Sequence, residues 1–502
     1  MPALQDLNQA AGLIIPEIIL IATVCIMFLA APFLVSESGK SAAGLRHRWG
    51  TLTLLALLCA AWAWLRSPSA PDSLGPFQAD AFSWFVRGVT LISGILLTLM
   101  IWDQTEDGHA AESFACLLAI LAGANFVALA NDLVGIFLGL EMVSIPTYIL
   151  LYMGRSDWMS REATIKYFLL SIFSSALVLY GLAWIFGLAG STSFVAIAQR
   201  TPALAGQPML LVALALMLAG ISFRLTAVPF HFYAPDVFQG VAPSASAMLS
   251  FLPKLVGFAA ILRIFPLCLN AAGADGLPPA APATLLTSLA VLTMTFGNIM
   301  ALRQKNVLRL LAWSSISHGG YMLVGVALTG AAVSQGKVSD GIAALLFYLP
   351  VYGIMSIGVF AVLSAAGGRR PLRSLEDLYG LSQTNSSAAL MLAVCVFGLS
   401  GLPPTGGFLG KLNLFVAAWG QGDQRSRILA IVLAANAVIA ATYYLRIIGL
   451  MYFEQSRTVP EEDSRPAATT AGILCSISTL ALFLKPQWLW DAAAAAAAAL
   501  AS

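Results

Sequence analysis

Charged residues are scarce: Asp, Glu, Lys and Arg make up 10% of the 502 residues, where a soluble domain carries roughly a quarter. With 59% hydrophobic residues and a mean hydropathy of +0.85, the composition excludes a water-soluble fold. Basic clusters are lacking too. The 26 Lys and Arg are scattered and the net charge is +2, so the chain has no nucleic-acid footprint. The six cysteines, Cys25, Cys59, Cys116, Cys268, Cys395 and Cys475, stand in apolar runs without CxxC or a cysteine–histidine spacing suited to zinc or an iron–sulfur cluster. They are expected to be packing residues. No Gly-rich dinucleotide fingerprint follows a strand, so no flavin site is expected either.

What the chain has instead is apolar length. Since about 20 apolar residues cross a bilayer core, the sequence divides into runs near 13–35, 49–66, 80–102, 112–130, 132–154, 163–189, 207–235 and 243–268, then 283–301, 306–330, 341–366, 387–419, 427–453 and 467–485. These predict an all-α, polytopic bundle of about fourteen transmembrane helices, because a barrel would show alternating strands of about ten residues. The first run follows a stretch without Lys or Arg and is long enough to span, unlike a cleaved signal peptide, so it is read as a permanent helix. Loops after odd-numbered helices hold Lys40, Arg46, Arg48, Arg155, Arg161, Arg303, Lys305, Arg369, Arg370, Arg373, Arg457 and Arg465. The opposite loops hold fewer, chiefly Arg200, Lys337, Arg425 and Arg427, so the positive-inside rule places both termini outside the cytoplasm.

Two runs contain internal breaks. Pro229 and Pro235 interrupt LTAVPFHFYAPDVF in the seventh, and Gly401, Pro403, Pro404, Gly406 and Gly407 interrupt FGLSGLPPTGGFLGK in the twelfth. Proline removes a backbone donor and clashes with the preceding turn, and backbone freed at membrane depth is tolerated where protein buries it or it lines a wet cavity. The breaks stand five helices apart, which fits two five-helix repeats, helices 4–8 and 9–13, inverted because the repeat length is odd. The expected organisation is residues 1–111 for the first three helices, 112–270 and 283–453 for the repeats, and 454–502 for the last helix and tail. Gly135 and Gly139 form a GxxxG, a weak hint of a helix contact. The alanine-rich tail after Trp490 has no reading from sequence.

Against this background a few ionisable residues stand deep in apolar runs. Glu141 lies in NDLVGIFLGLEMVSIPTYILLYM, Arg224 and His231 flank the first break, Lys254 lies in MLSFLPKLVGFAAILRIF, His318 in WSSISHGGYMLVG and Lys411 just after the second break. An intramembrane carboxylate must be protonated, paired or hydrated. Lysine taken out of water loses part of its preference for the charged form, so it can alternate between states when a nearby charge changes. Histidine titrates near neutrality and suits a relay. Lys166, three residues into the sixth run, reads equally well as a snorkelling side chain, and Arg87 as a member of a packing ion pair.

The segments EATIKYFLLSIFSSALVLYGLAWIFGLAGST, FRLTAVPFHFYAPDVFQGVAP, RQKNVLRLLAWSSISHGGYML and GLPPTGGFLGKLNLF, in that order, closely resemble the antiporter-like N-type membrane subunits of proton-pumping NADH-quinone oxidoreductase, respiratory complex I. The resemblance is strong over about residues 110–455. It implies fourteen helices in two inverted five-helix bundles with helices seven and twelve broken. The family's helix-five glutamate falls on Glu141, its helix-eight lysine on Lys254 and its helix-twelve lysine on Lys411, while its helix-seven lysine is Arg224 here. Arginine does not deprotonate, so Arg224 can pair with Glu141 but cannot relay a proton.

The resemblance further implies a proton channel, with NADH, FMN, iron–sulfur clusters and quinone bound on other subunits. It also implies M-type and K-type membrane neighbours and a bacterial inner membrane. Lys411 separates the chain from M-type subunits, which carry glutamate there. Subunits of cation/proton antiporter complexes share the fold and similar motifs and are the alternative.

Overall fold

The computed structural model describes residues 12–34, 44–67, 72–154, 157–204, 207–269, 280–328, 339–368, 372–456 and 465–500. Lys40, Arg155, Lys337, Arg369, Arg370 and Arg457 of the loop reading lie outside them. The described chain is almost wholly helical. Its helices are α1 (Ile15–Leu34), α2 (Leu45–Arg66), α3 (Ala81–Trp102), α4 (Ala110–Leu129), α5 (Leu133–Met153), α6 (Trp158–Ala189), α7 (Phe194–Leu204), α8 (Pro208–Leu225), α9 (Ala234–Gly240) and α10 (Pro243–Leu269). They continue as α11 (Ala280–Leu302), α12 (Val307–Ala327), α13 (Ser339–Gly367), α14 (Leu381–Thr384), α15 (Ser386–Ser400), α16 (Gly406–Gly420), α17 (Gln424–Phe453), α18 (Pro466–Leu484) and α19 (Gln487–Ala499). A small antiparallel hairpin, β1 (Asp72–Leu74) with β2 (Phe77–Ala79), precedes α3.

Several of the few acidic and amide residues cap helices. Asp80, Asp132, Asp157, Asn306 and Asp423 each accept a bond from a backbone N–H in the first turn of α3, α5, α6, α12 and α17, satisfying donors that have no intrahelical partner.

Every expected run coincides with a helix or a helix pair, and among the described residues twelve helices are long and apolar enough to cross a membrane. The expected tenth span, α12, is buried from Leu310 to Ala327, so its serines and His318 meet protein and not lipid, while Arg309 in its first turn is partly exposed and paired with Asp236. The expected twelfth is divided into α15 and α16, of 15 residues each. Both sequence breaks are real. Helix α8 ends at Leu225, Thr226 adopts φ 55°, and α9 begins only at Ala234; α15 ends at Ser400, with Gly401 at φ 80° before α16. Proline alone does not decide a break, because Pro146 and Pro350 sit inside the unbroken α5 and α13.

By contacts the chain forms two compact units. One comprises Met1–Arg224, Leu255–Pro278 and Ala498–Ser502, the other Leu225–Lys254 and Pro279–Ala497. Two buried ion pairs tie the first together. Arg87 of α3 donates to both carboxylate oxygens of Glu17 in α1 (3.0 and 2.9 Å), each residue being almost fully buried. Arg263 grips Asp80 with two nitrogens (2.7 and 2.9 Å) and also donates to Ala128 O. Arg87 is thus the ion-pair member that its sequence position suggested.

Gly139 is where α5 closes on α4, since a Cβ there would lie 2.7 Å from Val127 Cγ2; the GxxxG therefore serves packing within the chain. In the second unit the alanine-rich tail is α19, with Ala493, Ala496 and Ala497 buried and Trp490 against Phe347 of α13. The expectation that the cysteines pack is corrected for two of them. Cys25 and Cys59 are exposed while Cys116, Cys395 and Cys475 are buried, because the outer face of a membrane bundle is itself apolar and an apolar run does not imply burial.

Candidate functional site

In the first unit, α5, α6 and α8 bring Glu141 and Arg224 together. Helices α6 and α8 approach closely because a Cβ at Gly220 would lie 2.6 Å from Ser174 O and one at Gly181 would lie 2.8 Å from Ala213 O. Ser174 Oγ donates to Gly220 O across the same contact (2.6 Å). This close approach carries Arg224 to Ser175 and Glu141. The guanidinium Nη2 donates to Glu141 Oε1 at 3.4 Å and to Ser175 Oγ at 3.5 Å, while Ser175 Oγ donates to the same carboxylate oxygen. Arg224 Nε has no partner among the described residues. One long contact, unlike the two-pronged Glu17–Arg87 pair, leaves the ions separable. Arg224 is buried, whereas the Glu141 side chain is 24% exposed. Lys166, partly exposed, is bonded at 2.7 Å to Glu162 one turn earlier on α6.

The second unit gathers His231, Lys254, His318 and Lys411. Lys254, on the fully buried first half of α10, donates to Ser315 Oγ (2.6 Å) and Ser250 O (3.2 Å). Tyr352 donates to the same Ser315 oxygen (2.8 Å), and Ser356 to Ser250 Oγ (2.7 Å). His318, also fully buried, meets Tyr348 Oη with Nδ1 (2.6 Å) and Tyr444 Oη with Nε2 (3.0 Å). Tyr444 Oη is in turn bonded to Ser314 Oγ.

The second break builds the Lys411 site. Its ammonium, although carried by α16, reaches back to donate to Leu399 O and Ser400 O, both at 2.9 Å. These are carbonyls at the C-terminal end of α15, left without intrahelical partners and bearing the negative end of the helix dipole. Gly401 is required twice over: its φ is 80°, and a Cβ would fall 2.7 Å from Lys411 Cδ. The Tyr321 ring stands 4.9 Å from the ammonium. Among the described residues, no carboxylate lies within 4.0 Å of Lys254 or Lys411.

At the first break, Val228 N donates to Thr293 Oγ1 (3.0 Å) and a Cβ at Gly319 would lie 2.8 Å from Leu225 O, so α11 and α12 pack against the start of the unwound segment, whose Pro229 and Phe232 stay exposed. His231 follows, between the rings of Phe296 and Trp313, with its Nδ1 unpartnered among the described residues. The serines and tyrosines around the lysines and His318 were not singled out from sequence. The signal was present in the i, i+4 pair Tyr348 and Tyr352 within an otherwise apolar run, and in the paired Ser314 and Ser315 one turn before His318.

The model of the transmembrane family "NADH:quinone oxidoreductase/Mrp antiporter" matches residues 130–439, which include both breaks and Glu141, Arg224, His231, Lys254, His318 and Lys411, with Tyr444 just beyond. The chain belongs to that family. Among its members, NADH-quinone oxidoreductase subunit N 1 of Solibacter usitatus is 34% identical over 100% of both chains. A chain of respiratory complex I from Thermus thermophilus superposes with a TM-score of 0.76 at 29% identity, covering 95% of this chain and 99% of that one. A chain of the Mrp complex from Dietzia sp. has a TM-score of 0.81 at 23% identity, covering 97% of this chain and 98% of its own, which shows the shared fold alone. Among the described residues there is no group of three or more His, Cys, Asp or Glu that could hold a metal ion.

Proposed function

We propose that this chain is the N-type membrane-arm subunit of an NADH:quinone oxidoreductase and conducts protons through Glu141, Arg224, Lys254, His318 and Lys411. The observation that carries this is an internal contrast. Where this chain buries a cation for structure, at Arg87 and Arg263, a carboxylate holds it with two hydrogen bonds. Lys254 and Lys411 are buried as deeply but are met by hydroxyls, carbonyls and a ring face. A neutral amine can still donate to such oxygens, so each lysine can gain and lose a proton without stranding a counter-ion.

Glu141 and Arg224 act as a switchable charge pair. Charge arriving from the quinone-reducing end separates them, and the lysines answer by changing proton affinity. His318 passes the proton onward, with His231 serving the entry half of the path. The chain is one subunit of the enzyme; NADH, FMN, iron–sulfur clusters and quinone belong to others. The names carried by its full-length relatives favour this over a cation/proton antiporter.

Glu141 shares the outward face of α5 with the exposed Leu138, Ile145 and Ile149. A carboxylate is costly against lipid, which supports a neighbouring subunit of M or K type on that face. The corresponding breaks support inverted repeats at 112–270 and 283–453, between the helices of 1–111 and 454–502. The loop cations support a bacterial inner membrane with both termini periplasmic.

The test is Lys254→Ala in the assembled complex, reconstituted in vesicles. Proton uptake per NADH oxidised should fall while assembly and NADH oxidation by an artificial acceptor persist. Unchanged uptake sinks the assignment, and uptake that depends on sodium points to the antiporter.

A further inference from the structure

The setting of His318 carries more than its place between two lysines. A histidine held for structure is usually fixed in one tautomer by a partner that only accepts, a backbone carbonyl or a carboxylate. Here both ring nitrogens face phenol hydroxyls, Nδ1 to Tyr348 and Nε2 to Tyr444, and a phenol can both donate and accept. Tyr444 is continued by another two-way group, the hydroxyl of Ser314. All four residues are buried, so the chain of hydrogen bonds is shielded from bulk water.

One end of this chain lies at the Lys411 turn. The Tyr348 ring packs over Gly410, the residue before Lys411, so closely that a Cβ there would collide with Tyr348 Cδ2. One helical turn on, Tyr352 shares Ser315 with Lys254 and lies 4.8 Å from the His318 ring, centroid to centroid. Helix α13 thus places one tyrosine on each lysine's side of the imidazole.

We propose that Tyr348 and Tyr444 are members of the proton path, forming with His318 and Ser314 a hydrogen-bonded wire of two equivalent polarities. In one polarity Tyr348 donates to Nδ1, Nε2–H donates to Tyr444, and Tyr444 donates to Ser314. A proton received by Tyr348 displaces its own proton to Nδ1; Nε2 gives its proton to Tyr444, and Tyr444 gives its own to Ser314, which releases one. One proton enters and one leaves, each O–H and N–H bond broken is replaced by another, and the imidazole ends as the other tautomer, ready for the hydroxyls to turn. The wire runs in reverse by the same exchanges.

This rests on the proton-translocation reading above, and the experiment separates the two. Tyr348→Phe and Tyr444→Phe keep the rings and remove only the hydroxyls. In the assembled complex in vesicles, protons moved per NADH oxidised should drop in each to the level of Lys254→Ala, with NADH oxidation intact. A packing role predicts the wild-type ratio for the phenylalanine variants and loss only for Tyr348→Ala and Tyr444→Ala; that result overturns the wire. If Lys254→Ala lowers the ratio and the phenylalanine variants do not, the wire alone fails. If Lys254→Ala also leaves the ratio unchanged, the translocation reading fails with it. Should Tyr348→Phe not assemble, Tyr444→Phe tests the wire in the same way at the other ring nitrogen.

Discussion

Glu141 and Arg224 meet as carboxylate and guanidinium at 3.4 Å with the acid partly exposed, whereas Lys254 and Lys411 sit fully enclosed among neutral oxygens. In the first arrangement the distance is what can change, because Arg224 does not deprotonate and its one contact is long. The second holds each lysine at short distances among hydroxyl and carbonyl oxygens, so in the proposed mechanism its charge, and not its position, is what varies. A coupling device needs both kinds of element: one that registers an outside charge by moving, and one that registers it by taking or giving a proton.

That contrast is broken most directly at Arg224. Arg224→Gln leaves Glu141 with Ser175 alone, and losing half of a partly exposed pair costs on the order of 1–2 kcal/mol, about a tenfold shift in an equilibrium. Proton pumping per NADH should fall to the level of Lys254→Ala. Arg224→Lys retains a cation of the family's own type, and pumping should stay within roughly twofold of wild type, since a difference of about 0.4 kcal/mol is about a factor of two. Equal pumping by Arg224→Gln and Arg224→Lys would show that the pair is not part of the coupling.

A smaller effect is expected at Gly401, which shapes the fixed-distance side of the comparison. Gly401→Ala places a side chain at positive φ, costing about 1–2 kcal/mol, and pushes the Lys411 stem off the carbonyls of α15. The complex should lose a few degrees of thermal stability, with a partial fall in pumping. A stability loss with pumping untouched would mean that the Leu399 and Ser400 carbonyls hold Lys411 only for packing.

The charged members of both regions were legible in the sequence because charge is so rare there: Glu141, Arg224, Lys254, His318 and Lys411 stood out against uniformly apolar surroundings. Both helix breaks were legible through clustered Pro and Gly, although Pro146 and Pro350 show that a lone proline at membrane depth need not break a helix. The neutral partners were not legible. Ser315, Tyr348, Tyr352 and Tyr444 come from α12, α13 and α17, and tyrosine and serine occur throughout the chain, so only their convergence marks them. Glu17, near the start of its run, was not singled out, because its partner lies two helices away and only the fold brings them together. Cys25 and Cys59 show the converse, that burial cannot be read from apolarity when the solvent is itself apolar.

The smallest effect is expected where a charge stays at the water edge, and it serves as a reference for both buried regions. Asp423 caps α17, its Oδ2 accepting from Ser426 N at 3.1 Å. Burial pushes its carboxyl up, but the Ser426 hydroxyl and N–H and the nearby Arg425 outweigh that and hold it below the ordinary carboxylate range. A lowered pKa means that the carboxylate contributes stability at neutral pH, and that this contribution fades as pH falls below the ordinary range through the lowered value. Asp423→Ala should therefore lose about 1 kcal/mol, the usual worth of such a cap, at pH 7 and progressively less in acid. Hydrogen exchange at the Ser426 amide is the measure, and protons pumped per NADH should not change. If Asp423→Ala lowered pumping as much as Arg224→Gln, the pumping losses would report general loosening of the bundle, and the distinction between a moving pair and fixed lysines would fall.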